Sequence, residues 1–388
     1  MKVHIVKALG AAGAAGALAL LCLASTGGAA ATPLARSAGT AKAVSLKVPG
    51  SLKVPGNFWP AASSFVSSAW GVVLGGSGCT LSGQCRARLA VTTDGGARWS
   101  QLPAPVVWLA GGRPSLSGVS RVLFANRDDG WLYSQYSSGH AWVTHDGGAS
   151  WRKFTLAGDI EAMAASAHAV YAVADGDLYR SPLGSNAWVR VNARTRYGPM
   201  TGSTLAVWGD SAWFAGRAYV WSTADGVHWS RYALRSPGKA CGVPYTLAAI
   251  GAASPRDVAF FWASEQGMFR TFLRVQFSVN GGRTQRQAPS APPSAGDPLG
   301  VAVAPGHFGV FLIAVTTPGK DLIYRSASLG KTWTMLEIPG TQGGAMLSSP
   351  EFMSPTAACF ITGNPAYGES GYLMRTANAG RTWHSVTF

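Results

Sequence analysis

The stretch that decides the fold is VTTDGGARWSQL, residues 91–102, which returns as WVTHDGGASWRKF, residues 142–154. Both copies read Thr-x-Asp-Gly-Gly-x-x-Trp. A short polar side chain followed by paired glycines is turn chemistry, because the side chain bonds the main chain of its own turn and glycine accepts a positive φ. The residues on either side alternate between apolar and polar, as strands do. Each copy therefore reads as a hairpin.

Weaker copies continue down the chain. With the tryptophan as marker, the positions are Trp99, Trp151, Trp188, Trp229, Gln285 (in the tryptophan place), Trp333 and Trp383. Their spacing, roughly 37 to 56 residues, is that of a repeat architecture with one supersecondary unit per repeat. Within a unit the same order recurs. In the second it is VSRVLFA, then GWLYS, then HAWVTH, and WRKFTL after the turn. Four short strands per unit and seven units predict an all-β chain folded as a seven-bladed β-propeller over residues 60–388.

The composition agrees. The chain has 388 residues, 47% hydrophobic and 13% charged, which argues against disorder over most of its length. The 49 glycines and 15 tryptophans suit short strands and tight turns.

The N-terminus reads as a targeting segment. Lys2 and Lys7 precede the apolar run ALGAAGAAGALALLCL (8–23), and Ala29 and Ala31 set a cleavage point after Ala31. Residues 1–31 are expected to be a signal peptide, with a retained N-terminal anchor or lipidation of Cys22 as alternatives. Residues 32–59 form a linker in which SLKVPG occurs twice in tandem, at 45–50 and 51–56. Export directs the protein to a secreted or cell-envelope location. It also makes cysteine pairing feasible. Cys79 and Cys85, in GSGCTLSGQC, are close enough to clip a loop. Cys241 and Cys359 remain, either as a second pair or as two free thiols.

The net charge is +15, but no run of Lys or Arg appears. With export, this excludes nucleic acid as the expected partner and leaves a solvated basic surface or attraction to an anionic surface. A monomer is expected.

The pattern Ser/Thr-x-Asp-x-Gly-x-Thr-Trp resembles the Asp-box, or BNR repeat, of sialidases, sortilin-type receptors, some xyloglucan-degrading enzymes and photosystem II assembly factor-like propellers. It is carried by Thr92, Asp94, Gly96 and Trp99, and by Thr144, Asp146, Gly148 and Trp151. Asn280 with Gly282, and Asn378 with Gly380 and Trp383, replace Asp by Asn. Ser328, with Gly330 and Trp333, replaces it by Ser. In the Ser222–Trp229 copy the Asp place falls on Ala224, and in Ser181–Trp188 on Leu183. The resemblance implies that the motif joins the third and fourth strands of a blade, away from the ligand face. A catalytic carboxylate would not tolerate exchange for Asn and Ser, so these residues are structural. Blade count and size are most similar to the photosystem II assembly factor-like propellers.

Chemistry is sparse. A sialidase would need an Arg-Ile-Pro motif, and the nearest string is GGRPSL around Arg113. Glutamates are few, and neither Glu265 nor Glu369 shows a catalytic setting in sequence. Asp128-Asp129 and Asp175/Asp177 read as Asp-Gly turns. Metal spacing, nucleophile elbows and phosphate loops are absent, so neither a catalytic residue nor a cofactor or metal is assigned. Loops between blades and between second and third strands present Trp108, Arg113, Arg194, Arg196, Tyr197, Arg235, Tyr245 and Arg270, aromatics beside arginines that suit a protein or acidic glycan partner. The expected function is a non-catalytic interaction scaffold outside the membrane. The alternative is a carbohydrate-binding module or a sialidase-like glycoside hydrolase.

Overall fold

The computed structural model describes residues 54, 58–77, 85–109, 118–135, 140–194 (side chains to 191), 204–216, 218–267, 270–293, 296–317, 320–338, 350–363, 371–386 and 388. They form seven four-stranded antiparallel sheets in which every strand pairs with its sequence neighbour. Blades 1 to 7 cover 59–102, 121–155, 160–194, 204–233, 246–287, 297–337 and 351–386. The four strands of a blade are called a to d in chain order. The a strands of successive blades touch one another and surround the axis. This is the seven-bladed β-propeller that the repeat predicts. Two small additions decorate it. Trp108–Leu109 pairs with the start of the blade 1 c strand, and a hairpin of Lys239–Ala240 and Val243–Pro244 links blades 4 and 5.

Burial explains the strand sequences. The b strands Ala169–Ala174 and Ser211–Ala215 are buried throughout, so they are apolar on both faces. The d strands Arg152–Thr155 and Trp229–Ala233 are mostly exposed and carry the charges. At the a–b turns of blades 1 and 2 an aromatic lies opposite a glycine, Phe65 with Gly71 and Phe124 with Gly130. A Cβ on Gly130 would stand 2.5 Å from the Phe124 ring, so the ring fills the space of the missing side chain.

Among the described residues the ring closes by packing, not by a donated strand. Blade 7 supplies all four of its own strands. The Phe65 N–H of blade 1 donates to Glu351 Oε1 of blade 7 at 2.9 Å. Arg375 donates to the Ser68 carbonyl at 3.4 Å. Phe388 packs 4.8 Å from both Phe58 and Trp99, and Val54 joins the same cluster. Cys359 lies buried in this seam beside Ser63, while Cys241 is exposed at the tip of the 239–244 hairpin. Both are free thiols, so they do not pair with each other; they sit on different blades, one in the core and one in solvent. Cys79 and the leader 1–31 lie outside the described residues.

Candidate functional site

The repeated turn is built as its chemistry requires. Thr92 Oγ1 accepts the Gly96 N–H at 2.7 Å and donates to Asp94 Oδ1 at 3.0 Å, and Asp94 accepts the Arg98 N–H at 2.9 Å. That N–H is the main reason the Asp94 carboxyl titrates below its ordinary value. Thr144 and Asp146 repeat these bonds, and Asp146 also accepts from the Ser150 hydroxyl. Asn280 and Asn378 accept the same N–H groups and send their amide N–H to Thr284 and Thr382. Ser328 accepts the Thr332 N–H. The exchanges of Asp for Asn and Ser are thus hydrogen-bond equivalents. Both glycines of the pair have positive φ, 76° and 89° at Gly95 and Gly96. In blades 6 and 7 the first glycine is Leu329 or Ala379, held at 54° and 56°.

A second turn motif pairs with the first. At the a–b connections Ser67, Asn126, Ser166, Ser254 and Ser354 each accept two main-chain N–H groups, two and three residues on. The two turns then bond each other within a blade. The pairs are Gly95 N–H to Ala69 O, Gly147 to Asp128, Leu183 to His168, Gly281 to Arg256, Leu329 to Gly309 and Ala379 to Thr356. Blade 3 has Leu183 where the Asp belongs, and its turn is held from outside: Asp129 of blade 2 accepts the Gly184 N–H at 3.0 Å. Asp129 is buried and also bonds Asn126 and His145, a joint between blades.

Blade 4 departs from this plan. Its a–b connection is only Gly209-Asp210, between Trp208 and Ser211. Its c–d turn is one residue short. Thr223 donates to Asp225 at 3.0 Å and accepts the Gly226 N–H, and Asp225 accepts the Val227 and His228 N–H groups. The motif is therefore Thr223-Ala-Asp225-Gly226-Val-His-Trp229, with Asp in its proper place and a glycine missing. This corrects the alignment of Ser222 with Ala224 in the Asp place: keeping the usual distance to Trp229 shifts the frame by one. Among the described residues this blade alone lacks the main-chain bond between its two turns.

The recess opens a cleft of about 450 Å³ between blades 4 and 5 on the turn face. Ser211 and Trp213 lie toward its floor, and the Trp213 indole N–H donates to the Gly281 carbonyl at 2.9 Å across the joint. Blade 4 contributes Asp225, His228 and Tyr232, and blade 5 contributes Arg256, Asn280 and Arg283. Asp225 Oδ2 lies 2.7 Å from His228 Nδ1. That contact, then the turn N–H groups, holds the Asp225 carboxyl well below the usual range, so it stays an anion. Arg283 Nε donates to the Tyr232 hydroxyl at 3.1 Å, with its guanidinium over the ring. The Tyr232 phenol is lowered by Ser230 first and by Arg283 after it. Arg256 Nε donates to the Val279 carbonyl. Among the described residues neither arginine forms an ion pair. Blades 4 and 5, residues 204–287, carry nine Arg and Lys against four carboxylates, Asp210, Asp225, Asp257 and Glu265. The cleft presents two arginines beside an aromatic ring, and the one carboxylate among its lining residues, Asp225, is held by its own turn.

The loop residues singled out in the sequence lie elsewhere. Trp108 is 44% exposed, with Arg86 5.8 Å over its ring. Arg235 and Arg270 are exposed. Tyr245 is buried, with Arg274 at 6.0 Å. These sit on blade 1 and on the loops around blade 5, not in one cluster. Arg113, Arg196 and Tyr197 lie outside the described residues, and Arg194 is described only by its main chain. Glu265 is pushed up by burial and by Asp297 beside it, while Glu369 lies outside the described residues. The sequence analysis did not single out Arg256, Arg283 or Tyr232, which lie on the a–b turn and the motif turn of blade 5 and on the d strand of blade 4. The signal available was the six-residue step from Thr223 to Trp229 where other blades use seven.

The fold and the cleft define a seven-bladed propeller with one recessed blade. No protein-family model matches the sequence, and no curated protein matches it. Among solved structures the chain is similar to YCF48 from Cyanidioschyzon merolae, with a TM-score of 0.54 and 16% identity over 86% of this chain and 99% of that one. It is also similar to YCF48 bound to D1 peptide, with a TM-score of 0.50 and 16% identity over 84% and 94%. KlAtg21 in complex with the coiled coil of AgAtg16 gives 0.54 at 9% identity, over 85% and 99%. Likeness at these identities concerns the fold.

Proposed function

We propose that the protein is an exported, non-catalytic interaction scaffold that holds an acidic peptide segment of a partner protein in the cleft between blades 4 and 5. The observation that carries this is the pair Arg256 and Arg283, which form no ion pair among the described residues and stand with Tyr232 on the cleft beside the recessed blade. Arginine beside an aromatic ring suits carboxylates and peptide planes. A solved neighbour of the same fold is bound to a peptide, which supports a propeller of this size as a peptide holder. Export rests on the leader, 1–31, and the turn motif is read as the Asp-box repeat of extracytoplasmic propellers. A Cys79–Cys85 clip belongs to the same reading.

The test is a peptide array. Matched 15-residue peptides, acidic or basic, are probed with the full chain and with the Arg256→Glu/Arg283→Glu variant. Acidic peptides are expected to bind the parent and to lose about tenfold or more with the variant, the loss growing at low salt. Equal binding of acidic peptides by both proteins would remove the cleft from the account.

A further inference from the structure

The two faces of blade 4 carry different chemistry, and this follows from strand alternation. Residues one apart in a strand point to opposite faces. Along Tyr219–Thr223 and Trp229–Ala233, the even residues Ser222, Ser230 and Tyr232 line the arginine cleft described above. The odd residues Trp221 and Trp229 line a second groove, of about 430 Å³, against blade 3. Its far wall is blade 3, with Val189 and Val191 beside Arg180 and Arg190, the latter paired with Asp177, and its blade 4 side carries Gly226 and Val227. Val189 is 56% exposed and Val227 is 65% exposed. An apolar pair this open, flanked by two indoles, is a contact surface for a bulky apolar side chain.

Only the short turn 224–228 separates the two cavities. In the other blades for which the bond is described, that turn is tied to the a–b turn. In blade 4 that bond is not made among the described residues, and the turn lines both cavities, Ala224, Asp225 and His228 the one and Gly226 and Val227 the other.

We infer that one extended segment straddles the blade 4 turn, with an acidic residue in the cleft toward blade 5 and a bulky aliphatic residue in the groove toward blade 3. This rests on the peptide-holding reading and adds the second contact and the spacing. The thickness to be crossed is about 10 Å, the separation of packed sheets, and an extended chain advances about 3.3 Å per residue. Two or three residues therefore lie between the acidic and the aliphatic contact. The charge half of the match follows from Arg256 and Arg283, which have no ion pair among the described residues.

The test uses fluorescein-labelled peptides Glu-Glu-(Ser)n-Leu-Leu, with n from 0 to 6, and the same series with Leu replaced by Ser or Glu by Gln. Binding to the full chain is read by anisotropy. Affinity is expected to peak at n of about 2 or 3. Val189→Ser/Val227→Ser should weaken the Leu series about tenfold and leave the Ser series unchanged. Arg283→Glu should weaken every Glu series and leave the Gln series unchanged. Melting temperatures of both variants within a few degrees of the parent confirm that they fold, and a variant that fails this is replaced by Val189→Thr or Arg283→Gln. Affinity independent of n, or insensitive to the valine pair while still sensitive to Arg283, would overturn the straddling mode and leave the cleft reading standing. Glu peptides that ignore Arg283→Glu would overturn both.

Discussion

Glu351 of the last blade accepts the main-chain N–H of Phe65 in the first blade at 2.9 Å, and the carboxyl is fully buried there. Burial pushes its pKa up to about 8, against the smaller opposing pull of the Phe65 N–H and Ser63. The ring is thus joined across a carboxyl that prefers to be neutral. A free glutamate titrates near 4.3, so the folded state binds this proton more tightly than the unfolded chain does. The stabilisation is fully present below about pH 4.5, is lost as pH rises through about 8, and changes little beyond. Thermal melting should therefore fall between pH 5 and 8, and Glu351→Gln should flatten that slope while still accepting the Phe65 N–H. Parallel melting profiles for parent and variant would contradict this.

The same seam depends on the last residue. Phe388 packs 4.8 Å from Phe58 and from Trp99, joining both ends of the described chain. Phe388→Ala should destabilise by about 1–2 kcal/mol, less than a fully buried phenylalanine because the ring is half-buried. Urea unfolding measures it, and an unchanged midpoint would mean that the ring holds without the C-terminal contact.

The turn of blade 7 gives a test of backbone strain with opposite signs at adjacent residues. Ala379 sits at a φ of 56°, a conformation that costs a side-chain-bearing residue about 1 kcal/mol. Ala379→Gly should gain up to about 1 kcal/mol, its N–H bond to Thr356 being retained. Gly380→Ala should lose at least about 1 kcal/mol, because φ is 80° and a Cβ there would lie 2.7 Å from the Leu312 side chain of blade 6. Calorimetric melting of the two single variants decides; equal shifts would contradict the assignment of strain.

Legibility of the fold and of the site differed for a physical reason. The repeat of Thr92, Asp94 and Gly96 is local chemistry, since the Thr92 and Asp94 side chains bond main chain four residues on, and local chemistry is written in sequence order. Seven such turns, each between alternating strands, were enough to read seven blades. The same local reading counted blade 4 as a degenerate copy, because a one-residue deletion moves Asp225 out of frame. The cleft was not legible at all. Arg256 and Arg283 are 27 residues apart in sequence and are brought together by the two bonded turns of blade 5, and the ring places Tyr232 of the preceding blade beside them. The a–b turns are built on Ser67, Asn126, Ser166, Ser254 and Ser354, three or four residues ahead of each b strand, and their role appears only once they are seen bonding the neighbouring turn.

Asp146 tests whether the carboxylate of the turn is needed as a charge or as an acceptor. It accepts from the Ser150 N–H and hydroxyl and from Thr144. Asp146→Asn should be nearly neutral, within about 0.5 kcal/mol, and Asp146→Ala should cost about 1 kcal/mol. Equal losses in chemical denaturation would show that the negative charge itself matters, and would weaken the equivalence drawn with Asn280 and Asn378.

The proposed peptide site depends on the missing turn residue of blade 4. Its most direct test is to restore that residue by inserting one glycine between Gly226 and Val227, which recreates the Thr-x-Asp-Gly-Gly-x-x-Trp spacing of blades 1 and 2. Affinity for the acidic peptides that bind the parent is then measured alongside the melting temperature. The peptides should be lost while the melting temperature stays within a few degrees of the parent, because the lengthened turn occupies the cleft. Undiminished peptide binding by a folded insertion variant would contradict that dependence.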